Sequence, residues 1–171
     1  MSASLAYAEA LRAAVRVEEN GALFYRKAAA AASDPAAAGV LAKLAEMEEE
    51  HRGYFSALSL ELEQRESLFI NDPKGEFAAA VRELADTGVF GLAGGAAAFF
   101  ETGRSTREAV QFAITVEKDS VIFYLGLQEA MVDREESDKV GGIIKEELRH
   151  LAILSGLLKK LKDQDNSRRQ T

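Results

Sequence analysis

Glu48-Glu49-Glu50-His51 and Glu147-Leu148-Arg149-His150 hold the chain's two histidines, and in each segment the imidazole follows a glutamate by three residues. Residues three apart on an α-helix lie on one face, so each segment can aim a carboxylate and an imidazole at a single point. Glu18 stands thirty residues before Glu48 and Glu117 thirty before Glu147, so the whole triplet recurs with a shift of 99 positions. The surroundings repeat as well. Val17-Glu18-Glu19 with Phe24-Tyr25 in the first half answers to Val116-Glu117-Lys118 with Phe123-Tyr124 in the second. The pattern reads as two copies of one helical hairpin.

The flanking sequence supports helices throughout. Only two prolines occur in 171 residues, and good helix formers dominate. A first helix is expected over about Ala3 to Ala32, ending at Ser33-Asp34-Pro35, where Asp34 caps the next helix and Pro35 takes its first position. That second helix runs to about Glu66. After a break at Asn71-Asp72-Pro73-Lys74-Gly75 comes a Gly-interrupted helical stretch from about Glu76 to Phe100. Ser105-Thr106-Arg107-Glu108 is a capping-box pattern that opens a third helix reaching about Met131. A fourth is expected from about Arg134 to Lys162, with Asp163 to Thr171 as a polar, frayed tail. The expected class is all-α. One domain over 1–162 would hold a four-helix bundle made of a hairpin at about 3–66, a long crossover at 67–104 and a second hairpin at about 105–162.

Helical spacing places the glutamates inside apolar stripes. Glu18 shares a face with Ala22, Tyr25 and Ala29, and Glu117 with Val110, Ala113, Val121 and Tyr124. Glu48 and His51 line up with Leu41, Leu44 and Phe55; Glu147 and His150 line up with Val140, Ile143, Ile144 and Leu154. Burying an ionised carboxylate costs several kcal/mol after relaxation, so four facing one core need compensating cations. Two divalent metals would supply that charge, and a set of carboxylates with imidazoles suits iron, manganese or zinc. A single Glu-x-x-His on a charged helix is ordinarily a solvated pair. Glutamate fills about one position in eight, which puts its chance recurrence at both spacings on the order of one in several thousand.

Composition excludes other chemistries. The chain has no cysteine, hence no disulfide, thiolate zinc site or iron–sulfur cluster. A net charge of −7 disfavours nucleic acid and anionic membrane as partners. The longest apolar stretch, Val89 to Phe100, is shorter than a membrane span, and the N-terminal residues lack the pattern of a signal peptide. A cytoplasmic location is expected. Glu19, Glu46, Glu49, Glu50 and Glu146 read as a solvated face. Tyr25 and Tyr124 have two open readings, as core aromatics or as phenols hydrogen-bonded to metal-bound carboxylates. The small-residue run Gly91 to Phe100 reads as a close-packed part of the crossover or a contact in a homodimer.

Glu plus Glu-x-x-His supplied twice, each leading glutamate followed by Phe-Tyr at +6 and +7, resembles the ferritin-like superfamily and its short rubrerythrin-like branch, over nearly the whole chain from Glu18 to His150. The resemblance implies that Glu18 and His51 hold one metal, Glu117 and His150 the other, and that Glu48 and Glu147 bridge them. It implies two iron ions, with manganese or zinc as substitutes. Rubrerythrins proper carry a further carboxylate ligand beside the third-helix glutamate and a rubredoxin module. Here Val15, Gly21, Ile114 and Ser120 flank the leading glutamates, and cysteine is absent. In bacterioferritin a haem-binding methionine follows the second-helix glutamate; this chain has Glu49 there, and haem is not expected. The function implied first is an oxidoreductase that reduces hydrogen peroxide or oxygen with electrons from a separate donor protein. Ferritin-like Fe(II) oxidation with iron storage or delivery stands second, and a bundle cross-linked by a structural metal third.

Overall fold

The computed structural model describes residues 3–64, 76, 79, 99 and 103–169, with side chains described at 8–61, 76, 79, 99 and 103–167. Among them are four long helices: α1 (Ala3–Ala31), α2 (Pro35–Gln64), α3 (Thr106–Ala130) and α4 (Arg134–Arg169). The expected break at Asn71–Gly75, the rest of the crossover, including most of Gly91 to Phe100, and any part of α2 past Gln64 lie outside the described residues. Glu76, Ala79 and Phe99 are helical.

The helix starts follow from capping chemistry. The Asp34 carboxylate accepts from the backbone N–H of Ala36 at 3.3 Å and of Ala37 at 3.4 Å, and Pro35 begins α2. At the start of α3 the Ser105 hydroxyl accepts from the Glu108 N–H while the Glu108 carboxylate accepts from the Ser105 N–H, a complete capping box. Each such cap is worth about 1 kcal/mol and, more usefully, fixes where the helical register begins. The third helix ends at Ala130 with Met131 as its cap, as expected.

The far end of α4 corrects the expectation of a frayed tail. The helix continues past Lys162 to Arg169. No proline or glycine follows Gly156 to stop it, and Arg107 on α3 pairs with Asp165 at 3.0 Å. Polarity relieved that segment of any need to be buried, but nothing in it breaks a helix.

Within each hairpin the two helices run against one another, and the hairpins meet α1 to α3 and α2 to α4. Their apolar stripes form two separate cores. One gathers Leu11, Val17, Phe55, Leu58, Phe123, Tyr124, Leu127, Val140 and Ile144. The other gathers Phe24, Tyr25, Leu41, Leu44, Phe99, Val110, Leu154 and Leu157. On α1 the change from one core to the other falls between Val17 and Phe24, on α2 between Leu44 and Phe55, on α3 between Ala113 and Phe123, and on α4 between Ile144 and Leu154. Glu18, Glu48, Glu117 and Glu147 lie in those four intervals. The polar residues therefore form one layer across the bundle, closed above and below by apolar packing.

No helix among the described residues is long and apolar enough to cross a membrane.

Candidate metal centre

All six residues singled out by the repeat are buried in that layer: Glu18, Glu147 and His150 have no exposed surface, and Glu48, His51 and Glu117 are 5% exposed or less. Each helix supplies its part because the 3.6-residue period turns the same face inward before and after the site. Oxygen and nitrogen atoms of Glu18, Glu48, His51 and Glu147 lie within 4.8 Å of one another, and so do those of Glu48, Glu117, Glu147 and His150. Glu48 and Glu147 belong to both groups.

The imidazoles face inward through Nδ1. His51 Nδ1 is 3.0 Å from Glu147 Oε1 and 3.6 Å from Glu18 Oε2. His150 Nδ1 is 3.1 Å from both Glu48 Oε1 and Glu147 Oε2 and 3.7 Å from Glu117 Oε1. The two rings stack with centroids 5.8 Å apart. Despite these approaches, Glu18 Oε2, Glu48 Oε1, both Glu147 oxygens, His51 Nδ1 and His150 Nδ1 are buried without a hydrogen bond to any of the described residues. Buried polar atoms are otherwise satisfied almost everywhere in folded proteins, so a cluster left in this state is unusual. Donor atoms that crowd together without bonding to each other are arranged to share a third party. Carboxylate and imidazole donors of this kind fit divalent metal.

The tyrosines cross between the halves. Tyr25 on α1 donates to Glu117 Oε1 on α3, and Tyr124 on α3 donates to Glu18 Oε1 on α1. Each leading glutamate is thus held by the phenol of the opposite copy of the repeat, while both rings also pack in the apolar cores. Burial first, and then the neighbouring carboxylates, push both phenols well above their ordinary range, so the protons stay on the tyrosine oxygens.

Protonation in the layer follows burial and contact. Burial, joined by Glu18, Glu117 and Glu147, pushes Glu48 well above the carboxylate range. Burial also raises Glu117 to about 8, against the pull of His150. Glu147 shows the reverse outcome: burial would raise it, but His150 and His51, one against each oxygen, hold it well below the usual range. Burial alone would lower the two histidines, yet the carboxylates outweigh it and raise His51 to about 11 and His150 to about 10.

Two further residues shape the site. A Cβ on Gly21 would sit 3.2 Å from Glu48 Oε2, so the glycine leaves room for that carboxylate. Glu146, which the sequence placed on a solvated face, approaches the outer nitrogen of His51, with Nε2 and Oε2 2.9 Å apart. Single-helix periodicity could not find it, since it stands beside Glu147 on the rim and reaches across to another helix. Of the other flanking glutamates, Glu46 pairs with Lys43 and Glu49 with Arg26 and Arg52 outside the layer. At the position where a further carboxylate was sought beside Glu117, Ser120 is buried and donates to the Val116 carbonyl at 3.2 Å.

The family model for rubrerythrin matches residues 9–158. The chain belongs to the rubrerythrin family. A solved structure supports the four-helix bundle. A crystal structure from Thermotoga maritima, named as that of a ferritin-like diiron-carboxylate protein, is 22% identical, covers 93% of this chain and 95% of its own, and superposes with a TM-score of 0.63. At that identity the likeness carries the fold. A comparison with curated proteins gives no match. Family and geometry together support a carboxylate–histidine site suited to two metals.

Proposed function

We propose that this member of the rubrerythrin family is a non-haem di-iron protein that reduces hydrogen peroxide or oxygen. Glu18 and His51 hold one metal in this reading, Glu117 and His150 hold the other, and Glu48 and Glu147 are shared. The observation that carries it is the pair of overlapping four-residue groups in which inward atoms of Glu18, Glu48, His51, Glu147 and His150 are not spent on hydrogen bonds to the described residues. When bound, two ferrous ions supply two electrons, the number that converts hydrogen peroxide and two protons into two waters. The chain's own part is to hold that site rigid and dry. Apolar layers close it on both sides, and Tyr25 and Tyr124 orient the Glu117 and Glu18 carboxylates through phenol protons that they retain. Electrons would come from a separate donor protein.

Metal content of protein purified without chelators, followed by anaerobic Fe(II) titration and addition of peroxide or oxygen, tests the proposal. Two irons per chain, oxidised rapidly by peroxide with a change in near-ultraviolet absorption, are expected. Zinc alone, or no Fe(II) uptake, would remove the redox reading. Replacing His51 or Glu147 by alanine should cut metal content to about half or less, because each removal weakens a shared centre. Full loading in both variants would sink the ligand assignment.

A further inference from the structure

The repeat makes the two halves of the site nearly equivalent, and Glu146 is where the equivalence fails. His51 Nε2 lies 2.9 Å from Glu146 Oε2, whereas the corresponding atom, His150 Nε2, is buried and has no hydrogen-bond partner among the described residues. The shift of 99 positions that maps His51 onto His150 maps Met47 onto Glu146. Methionine offers the outer nitrogen of His150 no charge and no useful acceptor. One imidazole is therefore backed by a carboxylate and its twin is not.

We infer that Glu146 is a positioning residue that makes the His51 position the tighter and first-filled of two unequal metal positions. The inference rests on the ligand reading above. A carboxylate accepting from Nε2–H fixes the tautomer, leaves the Nδ1 lone pair aimed into the layer and makes that nitrogen more electron-rich. His150 gains none of this. Loss of such a partner typically weakens metal binding about 10- to 100-fold.

The test is calorimetric titration of the metal-free full-length chain with Co(II), a probe that needs no redox turnover. The natural chain should bind in two steps, the tighter abolished by H51A and retained in H150A. E146A should weaken that step about 10- to 100-fold and leave the weaker one in place, with E146Q, which keeps an acceptor but not the charge, in between. M47E should tighten the weaker step. An independent readout is the imidazole Nε2–H proton resonance of His51, protected from exchange in the natural chain and lost in E146A. Two equal steps in the natural chain, or an E146A isotherm superimposable on it, would overturn the inference while leaving the ligand set intact. No Co(II) binding by the natural chain would overturn both. Glu146 is 40% exposed in its side chain, so E146A is not expected to disturb folding and decides the matter even if M47E folds poorly.

Discussion

Replacing Glu117 by glutamine should stabilise the metal-free protein while crippling its metal binding, and the size of the gain should depend on pH. In the unfolded chain a glutamate titrates near 4.3; in the fold, burial raises Glu117 to about 8. Between those values the folded chain binds a proton that the unfolded chain does not, so stability falls as pH rises through the window. At pH 7 the proton must be taken up about 2.7 units above the unfolded pKa, which costs roughly 3–4 kcal/mol. Glutamine has nearly the same shape, needs no proton, and still offers Tyr25 an acceptor. The metal-free E117Q protein should match the natural one near pH 4 and exceed it by about 3 kcal/mol at pH 7, or roughly 6–12 °C in Tm for a chain of this size. Urea denaturation of chelator-treated samples from pH 4 to 7.5 measures this directly. The two histidines stay charged in the fold across that window but lose their protons near 6.5 in the unfolded chain, and Glu48 is raised like Glu117, so all three add to the fall in stability; they are present in both proteins and largely cancel in the difference. With saturating Fe(II) or Co(II) the order should reverse, because the natural chain gains binding free energy that the variant has lost. A metal-free natural protein whose stability is flat or rises from pH 4.5 to 7, or an E117Q protein less stable than it at pH 7, would refute the reasoning.

The same protonation pattern predicts that metal binding at pH 7 expels protons, as many as four, one each from Glu48, His51, Glu117 and His150; titration in weakly buffered solution counts them, and release of none would contradict the assignment. Replacing Tyr25 or Tyr124 by phenylalanine removes the hydrogen bond to Glu117 or Glu18, at a cost of roughly 1–3 kcal/mol, while metal stoichiometry stays at two per chain. An unchanged unfolding free energy, or loss of a whole metal, would show that these phenols do something other than hold a carboxylate.

Much of this site was legible because a helix converts spacing into direction. Once Glu18, Glu48, Glu117 and Glu147 fall on apolar stripes, period alone turns them inward, and the repeat says that four stripes meet. Caps at Asp34 and Ser105 fixed the register in the same local way. What period cannot give is the neighbour across the gap. Tyr25 lies on the same helical face as Glu18, yet its phenol bonds to Glu117 on α3. Glu146 sits one position from an inward residue and looked solvated, but the placement of α2 beside α4 brings its carboxylate to His51. Both depend on how far one helix is rotated and shifted against another, and the two apolar cores set that jointly.

Placing the polar layer between two apolar cores has an energetic consequence. Apolar burial on either side supplies the hydrophobic driving force, so the residues of the layer need only be tolerated. Toleration without metal is obtained by keeping protons on Glu48 and Glu117 and positive charge on the two histidines around an ionised Glu147. In the ligand reading proposed above, those protons occupy positions that a metal would take, so binding would exchange one set of cations for another. A core of leucines at these positions would be more stable. The buried acids are therefore best explained by what they bind.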